Sequence, residues 1–183
     1  QEAFPYAWKG MTDKLVEGIA LGLSPRETAN KMYKGMSQGF NRLLTISRTE
    51  QLRAYRQATV MQYRESGVVK GFRRLVAKQG ACMACLVSDG EYFEVAEDFS
   101  DHPNGRCSLI AVLNGVPERE WLYGENWFRS LGADQQQSIM GDQYYQAWQG
   151  GAFKLSELRS TAHSDVWGDS PKVTPLKELL GAD

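Results

Sequence analysis

Leu15, Ile19 and Leu23 recur four residues apart, which puts them on one face of a helix predicted over about Met11–Leu23. Ser24, Pro25 and Glu27 then form a start signal. The serine is the N-cap, proline takes the first helical position, and glutamate closes a capping box three residues on. This second helix is predicted to run to about Gly35. A third and longest helix follows over "NRLLTISRTEQLRAYRQATVMQYRES" and ends at Gly67 as a C-cap. Leu52, Tyr55, Thr59 and Tyr63 share one of its faces, with both tyrosines assigned to packing. The period changes after Gly67. "VVKGFRRLVAK" reads as a strand anchored by Val68, Phe72 and Leu75, followed by a turn carrying two cysteines. "GEYFEVA" and "CSLIAVL" are short β-prone runs beside Asp89–Gly90 and Asn104–Gly105 turns, so a small antiparallel sheet is expected. Helical pattern then returns. "ADQQQSIMGDQYYQAWQGG" gives one helix with Ile139, Tyr144 and Trp148 toward the core. "KLSELRS" and "TPLKELLGAD" give short helical ends, the last N-capped by Thr174 with Pro175 at its first position. "SDVWGDSPKV" is expected to be a mobile loop.

The predicted fold class is therefore α+β, in three segments. Residues 1–41 form a helical pair, 42–115 a long helix with a small sheet, and 116–183 a helical C-terminal extension. A length of 183 residues and 42% apolar content suit one domain with an attached helical piece. No apolar run is long enough to span a membrane. "QEAFPYAWKGM" lacks the regions of a signal peptide and an initiator Met, so Gln1 is read as the start of a fragment or processed product.

The chemistry concentrates in "GACMACLVSDGEYF" and "DHPNGRC", which hold all three cysteines and one of the two histidines. The spacing Cys-x2-Cys-x16-His-x4-Cys offers Cys82, Cys85, His102 and Cys107 as a Cys3His set. One knuckle supplies two thiolates, and a returning hairpin supplies the rest of a zinc tetrahedron. Such an ion would hold a sheet too small to stand alone. Two alternatives stay open: buried structural thiols, and a redox Cys-x2-Cys pair. A redox pair sits at a helix N-terminus after a strand, which the β-prone run beyond Gly90 does not suit. An odd cysteine count argues against a closed disulfide framework and for a reducing compartment.

The net charge of −1 conceals a split. Residues 42–78 carry nine basic against two acidic side chains, a net +7. Residues 79–183 carry seven against sixteen, a net −9. A basic middle beside an acidic remainder points to a polyanion contact, to docking on a protein, or to a face neutralised within the chain. Arg53, Arg56, Arg73 and Arg74 are the candidate contacts to DNA or to an acidic partner.

"ISRTEQLRAYRQATVMQYRESGV", "ACMACLVSDGEYF" and "HPNGRCSLIAVL", in that order, resemble the core of the phage Mu F-like head morphogenesis, or minor head protein, family. The downstream "WFRSLGADQQQSIMGDQYYQAWQGG" is similar to a tail found in that family, so the resemblance runs from about Ile46 to Gly151. One departure is Gly105, which stands where the family's H-P-N-C-R-C close has its first cysteine. Cys107 matches the second and is expected to be the ligand. The resemblance implies a virion structural protein without catalysis. Such a protein assists prohead assembly with portal, scaffold or major capsid proteins, and lies in the prohead interior or portal region after assembly in the host bacterial cytoplasm. Contact with packaged DNA is a further implication.

Rival classes are set by single features. "DHPN" after the cysteine pair invites a metal-dependent HNH-like nuclease or toxin-related domain, but the next histidine, His163, is about sixty residues on. His163 beside Asp165 and Ser160 reads as a polar loop, since catalytic triads are not built from sequence neighbours. "GLSPRETANKMYKGM" could be a DNA-reading corner presenting Arg26, Asn30, Lys31 and Lys34, although αα-corners are usually packing units.

Overall fold

The structure, a computed structural model, describes residues 3–33, 39–165 and 168–181, with side chains from residue 9 onward. The chain forms two compact units, Gln1–Tyr55 with Pro103–Gly105, and Arg56–His102 with Arg106–Asp183. The dividing line falls inside the longest helix, whereas the three-segment division cuts at 41/42 and 115/116.

The first unit is built from α1 (Ala3–Ala20), α2 (Pro25–Tyr33) and α3 (Phe40–Glu65) as far as Tyr55. Helix α1 stops three residues before the predicted end. The Leu23 amide donates to the Gly18 carbonyl and the Gly22 amide to that of Ile19, with Gly22 at φ 63°. This left-handed closure ends the helix at Ala20 and leaves Leu23 beyond it. The capping box forms as predicted. The Ser24 amide donates to Glu27 Oε2 (2.9 Å), and the Glu27 amide to Ser24 Oγ (3.3 Å). Met11, Ala29, Met32 and Leu43 make the core, flanked by Leu15, Phe40, Leu44 and Ile46. The corner of α1 and α2 is a packing unit, since Thr28, Ala29 and Met32 are buried and Lys31 pairs with Glu17 at 2.5 Å. Lys34 and Gly35 lie outside the described residues.

In the second unit, β1 (Val69–Leu75) is the centre of an antiparallel sheet of order β2-β1-β3, with β2 at Tyr92–Glu94 and β3 at Ser108–Leu113. Alternation along β1 sorts the side chains onto two faces. Phe72, fully buried, stacks on Phe93 at 5.4 Å and meets Tyr63 of α3 at 6.2 Å. Arg73, on the opposite face, lies over the Tyr92 ring at 5.2 Å. Val68, predicted as an anchor, is 58% exposed because β1 starts one residue later. Tyr55 is also not a packing residue, being 68% exposed. Near the end of α3, Arg64 donates to the carbonyls of Val95, Ala96 and Glu97 and pairs with Asp98, pinning the loop after β2.

Beyond β3 come α5 (Gly124–Arg129), α6 (Ala133–Met140) and α7 (Asp142–Gln149). The single helix predicted here is two, because Gly141 at φ 86°, ψ 149° breaks the hydrogen-bond ladder. Ile139, Tyr144 and Trp148 do pack on the core, which also holds Leu86, Phe128, Phe153, Leu155 and Leu158. "KLSELRS" becomes a 3₁₀ turn (Leu155–Leu158) leading into β4 (Arg159–Ala162), which pairs with β5 (Ser170–Val173). Part of the loop predicted to be mobile is thus strand, while Val166 and Trp167 lie outside the described residues. In the last helix, α8 (Leu176–Leu179), Pro175 rather than Thr174 is the N-cap, and the Thr174 hydroxyl donates to the Glu157 carbonyl. The fold is α+β, with a small antiparallel sheet beside a Cys/His cluster.

Candidate metal centre

The site lies wholly within the second unit. After β1 the chain turns through Gly80 and enters α4 (Met83–Val87), whose N-cap is Cys82, in extended backbone conformation. The Leu86 amide donates to the Cys82 carbonyl at 3.0 Å. A three-residue separation in this first turn brings Cys82 and Cys85 to one side, while Met83, Ala84 and Leu86 are buried. The predicted turn is therefore a short helix after a strand. The sequence argument against a redox pair rested on the lack of such a helix, and it falls.

The chain returns through β2 to deliver His102. Its Nε2 is 3.1 Å from Cys85 Sγ and 3.6 Å from Cys82 Sγ. Cys107, just before β3, places its sulfur 3.8 Å from that of Cys85. Cys85 and Cys107 are buried, Cys82 and His102 half-buried, and all three thiols are free. The Cys82, Cys85 and His102 ligand atoms lie within 4.8 Å of one another, close enough to hold a metal ion. Cys85, Cys107 and a carboxylate oxygen of Asp101 form a second group within the same limit, sharing Cys85.

The thiols titrate as a set. Hydrogen bonding from Cys85, and then from His102, holds Cys82 down to about 4 against the opposing effect of burial. Cys107 is also lowered, first by Cys85. Cys85, placed between them, is pushed far above the ordinary thiol range by Cys107 and Cys82 and retains its proton. The proton of the cluster thus stays on Cys85, at its middle, between two thiols that ionise more easily. A cation there would take the place of that proton.

Beneath the site runs a network that the sequence did not announce. Asp101 is buried. Its Oδ2 accepts from Arg56 Nη2 at 3.1 Å, and its Oδ1 accepts from Arg74 Nη1 at 3.4 Å and from the His102 amide at 3.0 Å. Arg56 Nε also donates to the Cys107 carbonyl at 2.8 Å, and Arg74 Nη2 to the Ser100 carbonyl at 3.1 Å. Arg74 lies 4.4 Å from the Phe99 ring centre.

This placement corrects the expectation for two candidate nucleic-acid contacts. Arg56 and Arg74 are 6% and 2% exposed, so neither guanidinium faces solvent. Arg73 is half-buried and forms an ion pair with Glu118 at 2.5 Å. Arg53 is half-buried on α3. His163 belongs to an exposed polar loop, with Nδ1 2.6 Å from Asp169 Oδ1 and Nε2 3.5 Å from Asp165 Oδ1.

Compared with known protein families, curated proteins and solved structures, the chain matches none. Among the described residues, no helix is long and apolar enough to cross a membrane.

Proposed function

We propose that the chain is a non-enzymatic component of a phage head, of the minor head or head morphogenesis kind, and that Cys82, Cys85, His102 and Cys107 hold one structural zinc ion. The observation that carries this reading is the meeting of Cys82, Cys85 and His102, from two distant segments, with Cys107 against Cys85. The segments that supply these residues are among those that bear the resemblance to the Mu F-like family.

Zinc suits the donors and the spacing. A tetrahedral ion with bonds of about 2.3 Å to sulfur and about 2.05 Å to nitrogen sets sulfurs about 3.8 Å apart and sulfur and nitrogen about 3.5 Å apart. The Cys85–Cys107 separation of 3.8 Å and the Cys82–His102 separation of 3.6 Å fit these edges. The Cys85–His102 contact of 3.1 Å has to open slightly, and Cys107, which is not within 4.8 Å of both Cys82 and His102, has to swing inward to complete the tetrahedron. The ion would serve as a staple, tying α4 to the segment that leads into β3.

The charge pattern favours protein partners over DNA. Of the nine basic residues in 42–78, Arg56, Arg64, Arg73, Arg74 and Lys78 form ion pairs within the chain. The acidic remainder is then the larger unbalanced feature, suited to docking on portal, scaffold or major capsid proteins in the prohead. DNA is left as a secondary contact, with Arg53 a candidate for it, and it would weaken as salt rises.

Two measurements test the reading. Purified protein should carry one zinc per chain, and Cys107→Ser should retain markedly less. No zinc in either removes the metal centre. Produced together with the portal, scaffold and major capsid proteins of its phage, the chain should sediment with purified proheads in a few copies per particle. Exclusion from the proheads removes the assembly role.

A thiol redox centre is the second reading, favoured by Cys82 standing at the start of α4 with its thiol held low. It requires a reversible Cys82–Cys85 disulfide, which mass spectrometry in a graded glutathione buffer would detect. A tightly bound zinc would block it. The nuclease reading loses support because His102 Nε2, the group that would activate water, lies against two sulfurs.

A further inference from the structure

Burying an arginine is costly unless its charge is met. The second unit buries two, Arg56 and Arg74, on a single fully buried carboxylate, Asp101. Glu91 also reaches Arg74 Nε at 3.3 Å, but it is shared with Arg159 at 2.7 Å, and those two charges cancel. The two guanidiniums and Asp101 together sum to a net charge of +1. It lies directly behind the cysteines. Arg56 holds the Cys107 carbonyl, Asp101 holds the His102 amide, and an Asp101 oxygen is within 4.8 Å of the Cys85 and Cys107 sulfurs.

Three thiolates and a neutral imidazole around a divalent cation carry a net charge of −1. We infer that Arg56 and Arg74 are the built-in counter-charge of the metal centre, the net +1 of the two guanidiniums and Asp101 offsetting the −1 of a divalent ion held by three thiolates and one neutral ligand. The inference rests on the metal reading above and extends it to second-sphere positioning residues and to ion valence. It also gives the two arginines a reason to be buried, since a solvated face would hold them at lower cost.

The test is a double-mutant cycle read by metal affinity. His102→Cys makes the centre −2. Asp101→Asn makes the network +2. Together they restore neutrality. Cobalt(II) is titrated into the reduced, chelator-stripped 183-residue chain, its thiolate charge-transfer absorption is followed, and zinc(II) affinity is obtained by competition with a chromophoric chelator. His102→Cys adds a negative charge at a direct ligand position and is expected to weaken binding about 10- to 100-fold, the size of loss that an unmatched outer-shell group brings, and adding Asp101→Asn is expected to recover most of that loss. Losses that simply multiply would overturn the inference.

A second arm covers the case in which Asp101→Asn fails to fold. Arg74→Lys keeps the charge and is expected to stay within about tenfold of the parent, while Arg74→Gln falls toward the lower end of the 10- to 100-fold range or beyond. Equal losses in both variants would also overturn it. If the parent protein shows no thiolate–cobalt absorption, the metal reading itself fails. If the parent binds cobalt but the cycle is additive, only the counter-charge assignment fails.

Discussion

Phe72 has no exposed surface and is enclosed by three aromatic rings, Tyr63, Phe93 and Phe99. Truncating it removes a full ring's worth of burial at a place where neighbours on a sheet and a long helix cannot collapse inward. Phe72→Ala is expected to cost about 3–5 kcal/mol, read as a lowered denaturant midpoint at unchanged slope. A loss below about 1 kcal/mol would mean that the sheet and α3 do not pack as described. Phe72 was legible in the sequence because an aromatic residue in a β-prone run has few other places to go. Arg56 and Arg74 were not. An arginine on a helix or strand reads as solvated unless its partner is known, and Asp101 lies 45 and 27 residues away in the chain. Cys82, Cys85, His102 and Cys107 were legible as a set because close spacing and ligand chemistry point the same way. Asp101, adjacent to His102, is not legible in the same way, because a lone aspartate beside a histidine carries no signal of burial.

Among the elements, those announced by local chemistry formed as expected. The Ser24–Glu27 box starts α2, and α3 ends before Gly67. The elements that depend on distant partners did not announce themselves. The β4–β5 ribbon pairs segments with little β-propensity, and α4 is a five-residue helix held by core contacts of Met83, Cys85 and Leu86. The pairing of α1 with α2 offers two checks. A Cβ added at Gly18 would run into the side chain of Thr28, which is fully buried and cannot move aside. Gly18→Val is expected to destabilise the chain by about 1–3 kcal/mol through overpacking, measured by thermal or denaturant unfolding. A neutral result would show that the helices separate freely. Glu17 links the same helices. Its hydrogen bond to Lys14, and then that to Lys31, hold its carboxyl down to about 2. A depressed carboxylate stabilises the fold above its ordinary value and loses that contribution as pH falls through its folded value. The Glu17 contribution should therefore fade between about pH 4.5 and about pH 2, and it should shrink in high salt because the pair is exposed. A carboxyl shift titration should place the midpoint low, and Lys31→Met should raise it part of the way.

For the whole molecule, the two compact units make metal removal informative. The first has its own core of Met11, Ala29, Met32 and Leu43, within which lie none of the proposed ligands. The second contains every proposed ligand, and two of them, Cys85 and Cys107, are part of its core beside Phe128 and Leu158. Removing the proposed ion would leave crowded sulfurs that cannot all ionise. The second unit therefore bears the cost, and structural zinc sites contribute to folding on the order of 10 kcal/mol in small metal-dependent elements. Hydrogen exchange before and after chelation should show amides of Met83–Val87 and Ser108–Leu113 losing protection by orders of magnitude. Those of Pro25–Tyr33, in the first unit, should change little. Uniform loss along the chain would mean that the two units fold as one cooperative body. Unchanged exchange throughout would mean that the cluster is stable as free thiols, and that the packing around Cys85 and Cys107, rather than an ion, holds α4 to the sheet.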